Sequence, residues 1–401
     1  MDFNFVAFFF NPLVLLFLTM TLGNLFGELK IGKFKFGITG TLFVGLVIGY
    51  FLTQYAAGVP KESRYFASAM AVMQGKVIPG PLMNLALLVF IVGTGLLAAS
   101  DMKYALTKFG KQFVILAIFI PFVGAVASYG SSQLLQDMSP FQMTGTYTGA
   151  LTSSTGLAAA TESSDSEARR LGMEFGSQPE SARKKIIAII NSARVRDAKL
   201  RHESAPAPLT LEGTQSLSQE DVEVFVTEAK AGVGVGHSIG YPFGVLFLIL
   251  AINLIPKIFG LDVEDEKKRY FAQKALDIKN DASLVTEKHQ EVAMDFIGFS
   301  LAAFLGYVVG SIRIYMGPLG WFSLGATGGA ILVALALGAL GQLGPIHFRM
   351  NSTVLGKMRT YFLSVFLAGT GLNYGFRVVD AVTGDGYMVA IISALVAPIS
   401  I

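Results

Sequence analysis

Ten stretches of this chain run for sixteen residues or more without a charged side chain, and they constrain the fold more than any motif does. They are Phe3 to Gly27, Phe36 to Pro60, Val77 to Ser100, Gln112 to Gln136, Met138 to Thr161, Ala231 to Pro256, Phe296 to Ile312, Ile314 to Ile346, Thr360 to Phe376 and Gly386 to Ile401. At ~1.5 Å per residue a helix of about 20 residues crosses a hydrocarbon core of ~30 Å, so the runs have membrane length. Inside lipid every backbone N–H and C=O must be paired within the protein, which leaves helices or closed barrels. Barrel strands alternate over ~10 residues. These runs are continuous, and with 52% hydrophobic and 15% charged residues the chain reads as an all-α polytopic membrane protein.

The composition excludes other chemistry. There is no Cys, and His202, His237, His289 and His347 are too scattered for a zinc motif, so no metal, cofactor or catalytic set is expected. A net charge of +3, with Lys and Arg mainly between the runs, argues against nucleic-acid binding. The first run has no basic leader segment ahead of it and is read as a retained span. Glu28, Asp101, Asp295 and Arg313 all fall at span ends, Asp295 being the carboxylate most worth following.

The chain is written twice. FIVGTGL at Phe90 to Leu96 matches FLAGTGL at Phe366 to Leu372, an offset of 276. GELKI at Gly27 to Ile31 matches GSIRI at Gly310 to Ile314, and Gly40 and Gly49 match Gly329 and Gly338. Counting Lys and Arg in the short loops, with the N-terminus outside, places nine inside and five outside, Arg377 among the latter. Matched loops then carry different charge, which predicts two inverted repeats of about five membrane segments. Inversion requires one broken or re-entrant helix, and Met138 to Thr161, rich in Gly, Ser and Thr, is the candidate. Everything after Ala125 in the first half lacks a second copy, so the expectation is a chain truncated relative to a full two-repeat protein.

Two motifs point to chemistry. GALTSSTGLAAAT, Gly149 to Thr161, brackets Thr152, Ser153, Ser154 and Thr155 between Gly149 and Gly156. Unwound backbone at membrane depth offers N–H groups to a carboxylate and carbonyls to a cation; the alternative is hydroxyl-mediated helix packing. GTGL, at Gly93, Thr94, Gly95 and Leu96 and again at Gly369, Thr370, Gly371 and Leu372, reads as a flexible break in a helix or as a close-packing face. Asn373 follows the second copy with an amide that can donate and accept. Four-residue glycine pairs at Gly23/Gly27, Gly45/Gly49 and Gly306/Gly310 read as packing faces, with Gly145/Gly149 set apart as pathway lining. GVGVG at Gly232 to Gly236 precedes a membrane run and is not a dinucleotide loop. His237 and Tyr241 read as interfacial, with a place facing the pathway as the alternative.

GALTSSTGLAAA, the two GTGL blocks and GYPFGV at Gly240 to Val245 together resemble the aspartate:alanine exchanger family, whose members carry a duplicated antiporter domain. The resemblance implies a bacterial inner-membrane exchanger of amino or organic acids with the GALT segment near the substrate. Here Ser154 and Thr155 stand where a Thr-Pro pair is usual, and residues 162–230 form an insert.

The expected organisation is a first membrane repeat at 1–161, a polar, partly disordered insert at 162–230, a linking helix at 231–260, a soluble linker at 261–292 and an incomplete second repeat at 293–401. The expected function is a secondary antiporter working by alternating access, not an enzyme. Its partners are a small amino acid or organic anion, the bilayer and, as an option, a second copy in a homodimer. A cation/proton antiporter or channel, and a chain inactive alone, are the alternatives.

Overall fold

The computed structural model describes residues 9–31, 34–134, 138–201, 203–280, 291–315, 321–383 and 387–400. The start of the first run, His202, the linker residues 281–290 (with His289) and Ile401 lie outside the described residues. Helices account for nearly all of the rest: α1 Pro12–Gly27, α2 Gly40–Ala57, α3 Phe66–Met73, α4 Gly80–Leu134, α5 Pro140–Ala150, α6 Ser154–Met173, α7 Glu180–Leu200, α8 Gln219–Ile258, α9 Val263–Asn280, α10 Phe296–Ser311, α11 Gly325–Leu340, α12 Ser352–Thr383 and α13 Tyr387–Ser400. Among the described residues, the strands form three small antiparallel ribbons: β1 Lys30–Ile31 with β2 Phe34–Lys35, β3 Arg313–Tyr315 with β4 Trp321–Ser323, and β5 Gln342–Leu343 with β6 Ile346–His347. The chain is an all-α polytopic membrane protein.

The written repeat is a structural one. Each half opens with a helix hairpin, α1/α2 or α10/α11, closed by a ribbon at matching places. The helices meet at glycines because only a bare Cα lets two backbones come this close. A Cβ on Gly23 or Gly27 would lie 2.4 Å from the Thr41 Cα or 2.0 Å from the Gly37 carbonyl oxygen. One on Gly306 or Gly310 would lie 2.5 Å from the Ala330 Cα or 2.0 Å from the Gly325 carbonyl oxygen. Gly37 and Gly325, at the same point of each hairpin, both hold the left-handed region at φ +56° and +68°. Further along, Thr94 Oγ1 donates to the Phe90 carbonyl and Thr370 Oγ1 to the Phe366 carbonyl, both at 2.8 Å.

The halves are joined crosswise. In the first hairpin, α2 packs on the GTGL helix of the second half: Gly45 sits on Ala368 and Gly371, and Gly49 on Leu372. Reciprocally, α11 packs on the GTGL helix of the first half, with Ala334 on Gly95 and Gly338 on Leu96 and Ala99. These registers rise together, so α2 runs parallel to α12 and α11 parallel to α4. Between the two GTGL helices the register reverses: Gly369 meets Ile78 and Met83, while Gly93 meets Leu355 and Arg359. Equivalent helices therefore run in opposite directions, and the repeats are inverted.

Of the two readings of GTGL the close-packing face holds: neither helix is broken, and its glycines are contact points in α4 and α12. Other details differ from the sequence expectation. The runs Val77 to Ser100 and Gln112 to Gln136 join into one helix, α4, because the polar residues between them include no Pro and hold α9 instead, through Tyr104 Oη (3.2 Å) and Lys108 Nζ (3.0 Å) to Asp277. Among the described residues, four helices are long and apolar enough to cross a membrane: Gly37–Ala57, Gly80–Ala99, Leu106–Ser131 and Ser352–Asp380. Three more, α1, α10 and α11, are apolar but 16 residues long, about 24 Å, so several of the ten runs are shorter helices than full crossings. Arg377, counted above in a loop, is buried within α12.

The polar insert is folded. Its helices close over their own core of Ala168, Phe175, Ile186, Ile187, Ile190, Val222, Phe225, Val226 and Ala229. α6 runs unbroken through Thr161 and α8 unbroken through Lys230, so the insert continues two membrane helices rather than hanging from them.

Candidate functional site

The helix break falls inside GALT. α5 ends at Ala150 and α6 begins at Ser154, and between them Thr152 is the one non-glycine described residue in the left-handed region, at φ 51°. Such a conformation costs a residue with a Cβ roughly 1–2 kcal/mol, so the surroundings must impose it. They do so with hydrogen bonds: the Thr152 N–H donates to the Gly149 carbonyl and the Ser153 N–H to the Thr148 carbonyl, both at 2.9 Å. Ser153 then caps α6, its Oγ accepting the Gly156 N–H at 2.9 Å and lying 3.3 Å from Thr155 Oγ1. The Ser154 main chain opens α6; its side chain lies outside the described residues.

Below the break, α5 lies against α8 with almost no side chain between them. A Cβ on Gly145 would fall 2.0 Å from the Val233 carbonyl oxygen, and one on Gly149 2.6 Å from that of His237. Gly236, Gly240 and Gly244 return the contact at Gln142, Thr146 and Ala150. Gly145/Gly149 is thus a packing face like the other glycine pairs, and GVGVG opens its counterpart. His237 is buried rather than interfacial, with Nδ1 2.9 Å from Thr148 Oγ1, and the Tyr241 hydroxyl takes the Thr39 hydroxyl at 2.8 Å.

One to four turns further along α6, between the two halves, is a cavity of about 470 Å³. Its apolar wall comes from α4 (Met83, Leu87, Leu88) and from Phe366 of α12; its polar wall comes from Glu162, Asp165 and Arg169 of α6 and Glu223 and Lys230 of α8, with Lys76 before α4. Arg169 forks onto the Glu223 carboxylate, and the Lys230 ammonium lies 3.1 Å from Asp165 Oδ1. The Arg169 fork holds the Glu223 carboxyl below the usual range. Glu162 crosses to the second half and caps α11: its carboxylate accepts the Ala326 N–H at 2.5 Å, the Thr327 N–H at 3.1 Å and the Thr327 hydroxyl. A carboxylate there meets three donors and the positive end of the helix dipole.

A family model described as a predicted permease membrane region matches residues 15–257 and 298–401. The chain belongs to this permease family. It is the aspartate:alanine exchanger type that the motifs resemble, and its two matched segments fall on the two inverted halves. The permease is similar to an uncharacterized transporter of Bacteroides thetaiotaomicron, 24% identical over 460 residues covering 93% of this chain and 82% of that one. An uncharacterized transporter of Bacteroides fragilis matches at 24% over 465 residues, with the same coverage. A third, of Corynebacterium diphtheriae, is 35% identical over 111 residues, 26% of this chain and 20% of that protein. No solved structure matches.

The cavity of the permease draws in two of the residues singled out from sequence, Thr370 and Asn373. The hydroxyl of Thr370 is bound back to Phe366, and the Asn373 amide holds the main chain of Ile78, accepting its N–H at 2.9 Å and donating to its carbonyl at 3.3 Å. Gly93, Gly95, Gly369 and Gly371 are helix contacts, and Thr94 is bound back to Phe90. Gly149, Thr152, Ser153, Thr155 and Gly156 shape the break and do not line this cavity. Asp295 caps α10, accepting from the N–H groups of Gly298 and His347, both at 2.8 Å. Most of the charged wall falls in the stretch that reads from sequence only as a polar insert. Its signal was spacing: Ala158, Thr161/Glu162, Asp165/Ser166 and Arg169 recur at three and four residues on α6, as do Glu223, Val226/Thr227 and Lys230 on α8.

Proposed function

We propose that this permease is a secondary antiporter that exchanges amino acids or organic carboxylates by alternating access, with the cavity between the halves as its substrate site. The observation that carries the reading is the cavity's position: one wall is α4 of the first half, another is α10 to α12 of the second, and the halves are inverted copies. Rocking one copy against the other around a site at their junction would open it to either side in turn. The mix of paired charges and apolar surface suits a small, charged, partly apolar metabolite. The test is counterflow in proteoliposomes loaded with unlabelled amino and organic acids. Labelled substrate should accumulate only in vesicles loaded with a partner substrate; equal uptake into empty vesicles refutes exchange.

A second reading, a cation/proton-coupled carrier, has one observation in its favour: Glu162, Asp165 and Glu223 place three carboxylates in the cavity wall. It predicts accumulation driven by an imposed pH gradient in vesicles with no internal substrate.

A further inference from the structure

A second cavity, a groove of about 640 Å³, opens between α1, the start of α2 and the first turns of α12. It is the inverted twin of the cavity between the halves. In the register of the repeat, Gly356, Thr360 and Asn24 line it where Gly80, Asn84 and Tyr307 line the first. The twins differ in what fills them. In the first cavity α6 forms one wall, and its Glu162 caps α11 beside Gly325. At the matching place Gly37, also left-handed, has nothing within 4 Å of a would-be Cβ, and among the described residues no side chain caps the start of α2.

The groove is graded from polar to apolar. α1 is antiparallel to α2, which runs parallel to α12, so Phe17 and Met20 lie toward one end and Ser352, Thr353 and Lys357 toward the other. Asn24 joins the two helices between these ends, its Nδ2 lying 3.4 Å from Ser364 Oγ. Thr353, Lys357, Thr360 and Ser364 recur at three and four residues, a polar stripe that would be costly for a membrane helix to turn to bare hydrocarbon. Among the described residues, Lys357 makes no ion pair, and the hydroxyls of Thr360 and Tyr361 make no hydrogen bond. That end of the hairpin also carries Lys30 paired with Lys35 on its ribbon, on the side where the count of Lys and Arg places the inner leaflet. An unpaired ammonium and unbound hydroxyls fit an anion, whereas exposed Phe17 fits hydrocarbon. A soluble anion would satisfy only the first. We propose that this groove binds one anionic phospholipid, with its headgroup facing Lys357 and the positive end of α2 and an acyl chain along Phe17 and Met20.

The experiment is native mass spectrometry of the delipidated protein in detergent, titrated with phosphatidylglycerol or with phosphatidylcholine of the same acyl chains. The wild type should retain one phosphatidylglycerol at least ten-fold more tightly than phosphatidylcholine. Lys357→Gln should erase that preference, and Gly356→Leu, which fills the groove floor, should weaken both lipids at least ten-fold. Lys357 is exposed and Gly356 faces open space, so neither change disturbs packing, and an unaltered circular dichroism spectrum checks this. Equal retention of the two lipids by the wild type overturns the proposal, and so does either folded variant holding phosphatidylglycerol as tightly as the wild type. Displacement of phosphatidylglycerol by an equal concentration of glycerol 3-phosphate overturns it in favour of a soluble phosphate. A dimer that excludes phosphatidylglycerol and dissociates on Gly356→Leu overturns it in favour of a second copy in the groove.

Discussion

Substituting Gly371 with Ala tests the crosswise joint at its narrowest point. A Cβ at 371 would sit 2.4 Å from the Leu42 carbonyl oxygen and 2.8 Å from the Gly45 Cα. A carbon–oxygen contact ordinarily settles near about 3.3 Å, so α2 and α12 must part by roughly 1 Å. Both obstacles are backbone, so no side chain can swing aside, and the shift spreads along the Gly45, Gly49 and Gly375 contacts. Overpacking of this kind costs about 1–3 kcal/mol, against which Ala gains up to about 1 kcal/mol over Gly in helix propensity. With the full propensity gain the net expectation is a destabilisation of about 0–2 kcal/mol. Gly356, on the same helix with nothing within 4 Å of its would-be Cβ, isolates the propensity term, and Gly356→Ala should be neutral or stabilising. Thermal unfolding of the purified protein in detergent, followed by circular dichroism, reads both variants. Should Gly371→Ala raise the midpoint as much as Gly356→Ala does, the helices are not in backbone contact there and the crossed pairing is wrong.

Other consequences can be checked in the same assay. Thr152→Gly should be tolerated or stabilise by up to about 1 kcal/mol, because glycine holds φ near +51° without strain, whereas Thr152→Pro should cost about 3 kcal/mol or more, since its ring fixes φ near −65° and removes the N–H bound to Gly149. Equal effects of the two would show that the break is not built as described. Glu228 lies between Arg196, 2.8 Å away, and Arg377, 2.9 Å away, and Glu228→Gln should cost about 3 kcal/mol by taking the carboxylate from the buried Arg377 guanidinium, while Arg196 keeps Asp197. Burial pushes the Glu228 carboxyl up, but Arg377 and Arg196 outweigh it and bring it down to about 2. A carboxylate depressed in the folded state stabilises fully above its unfolded pKa of about 4.3, and that stabilisation is lost as pH falls toward 2. Unfolding midpoints of the wild type should therefore drop across that window more steeply than those of Glu228→Gln.

The parts of this architecture that were legible in the sequence are those in which one residue type has one physical use. Gly27 and Gly310 stand at the same point of two hairpins, and Thr94 and Thr370 bind back to the same preceding carbonyl, so matching letters meant matching structure. The break at Thr152 was legible because a run of Gly, Ser and Thr both weakens a helix and supplies its caps. GTGL stayed open between two readings because a glycine serves equally to bend a helix and to let another approach; only the opposite surface, Leu42 and Gly45 for Gly371, decides between them. The charged wall was hidden for a related reason. Spacing shows that Glu162, Asp165 and Arg169 share a face, but not whether that face meets water or a neighbour, and for Glu162 the neighbour, Thr327, is 165 residues away in sequence.

The crosswise joint also governs biogenesis. The glycine edge of α2 at Gly45 finds its match only when Gly371 has been synthesised, more than 300 residues later, and Ala334 and Gly338 look back to a helix inserted long before. The first hairpin cannot complete its packing as it leaves the translocon and must wait in the lipid, loosely held, for most of translation, whereas α11 finds α4 already in place. Nonsense mutations upstream of Ser352 would thus strand the N-terminal helices with their glycine edge uncovered, a natural target for membrane quality-control proteases.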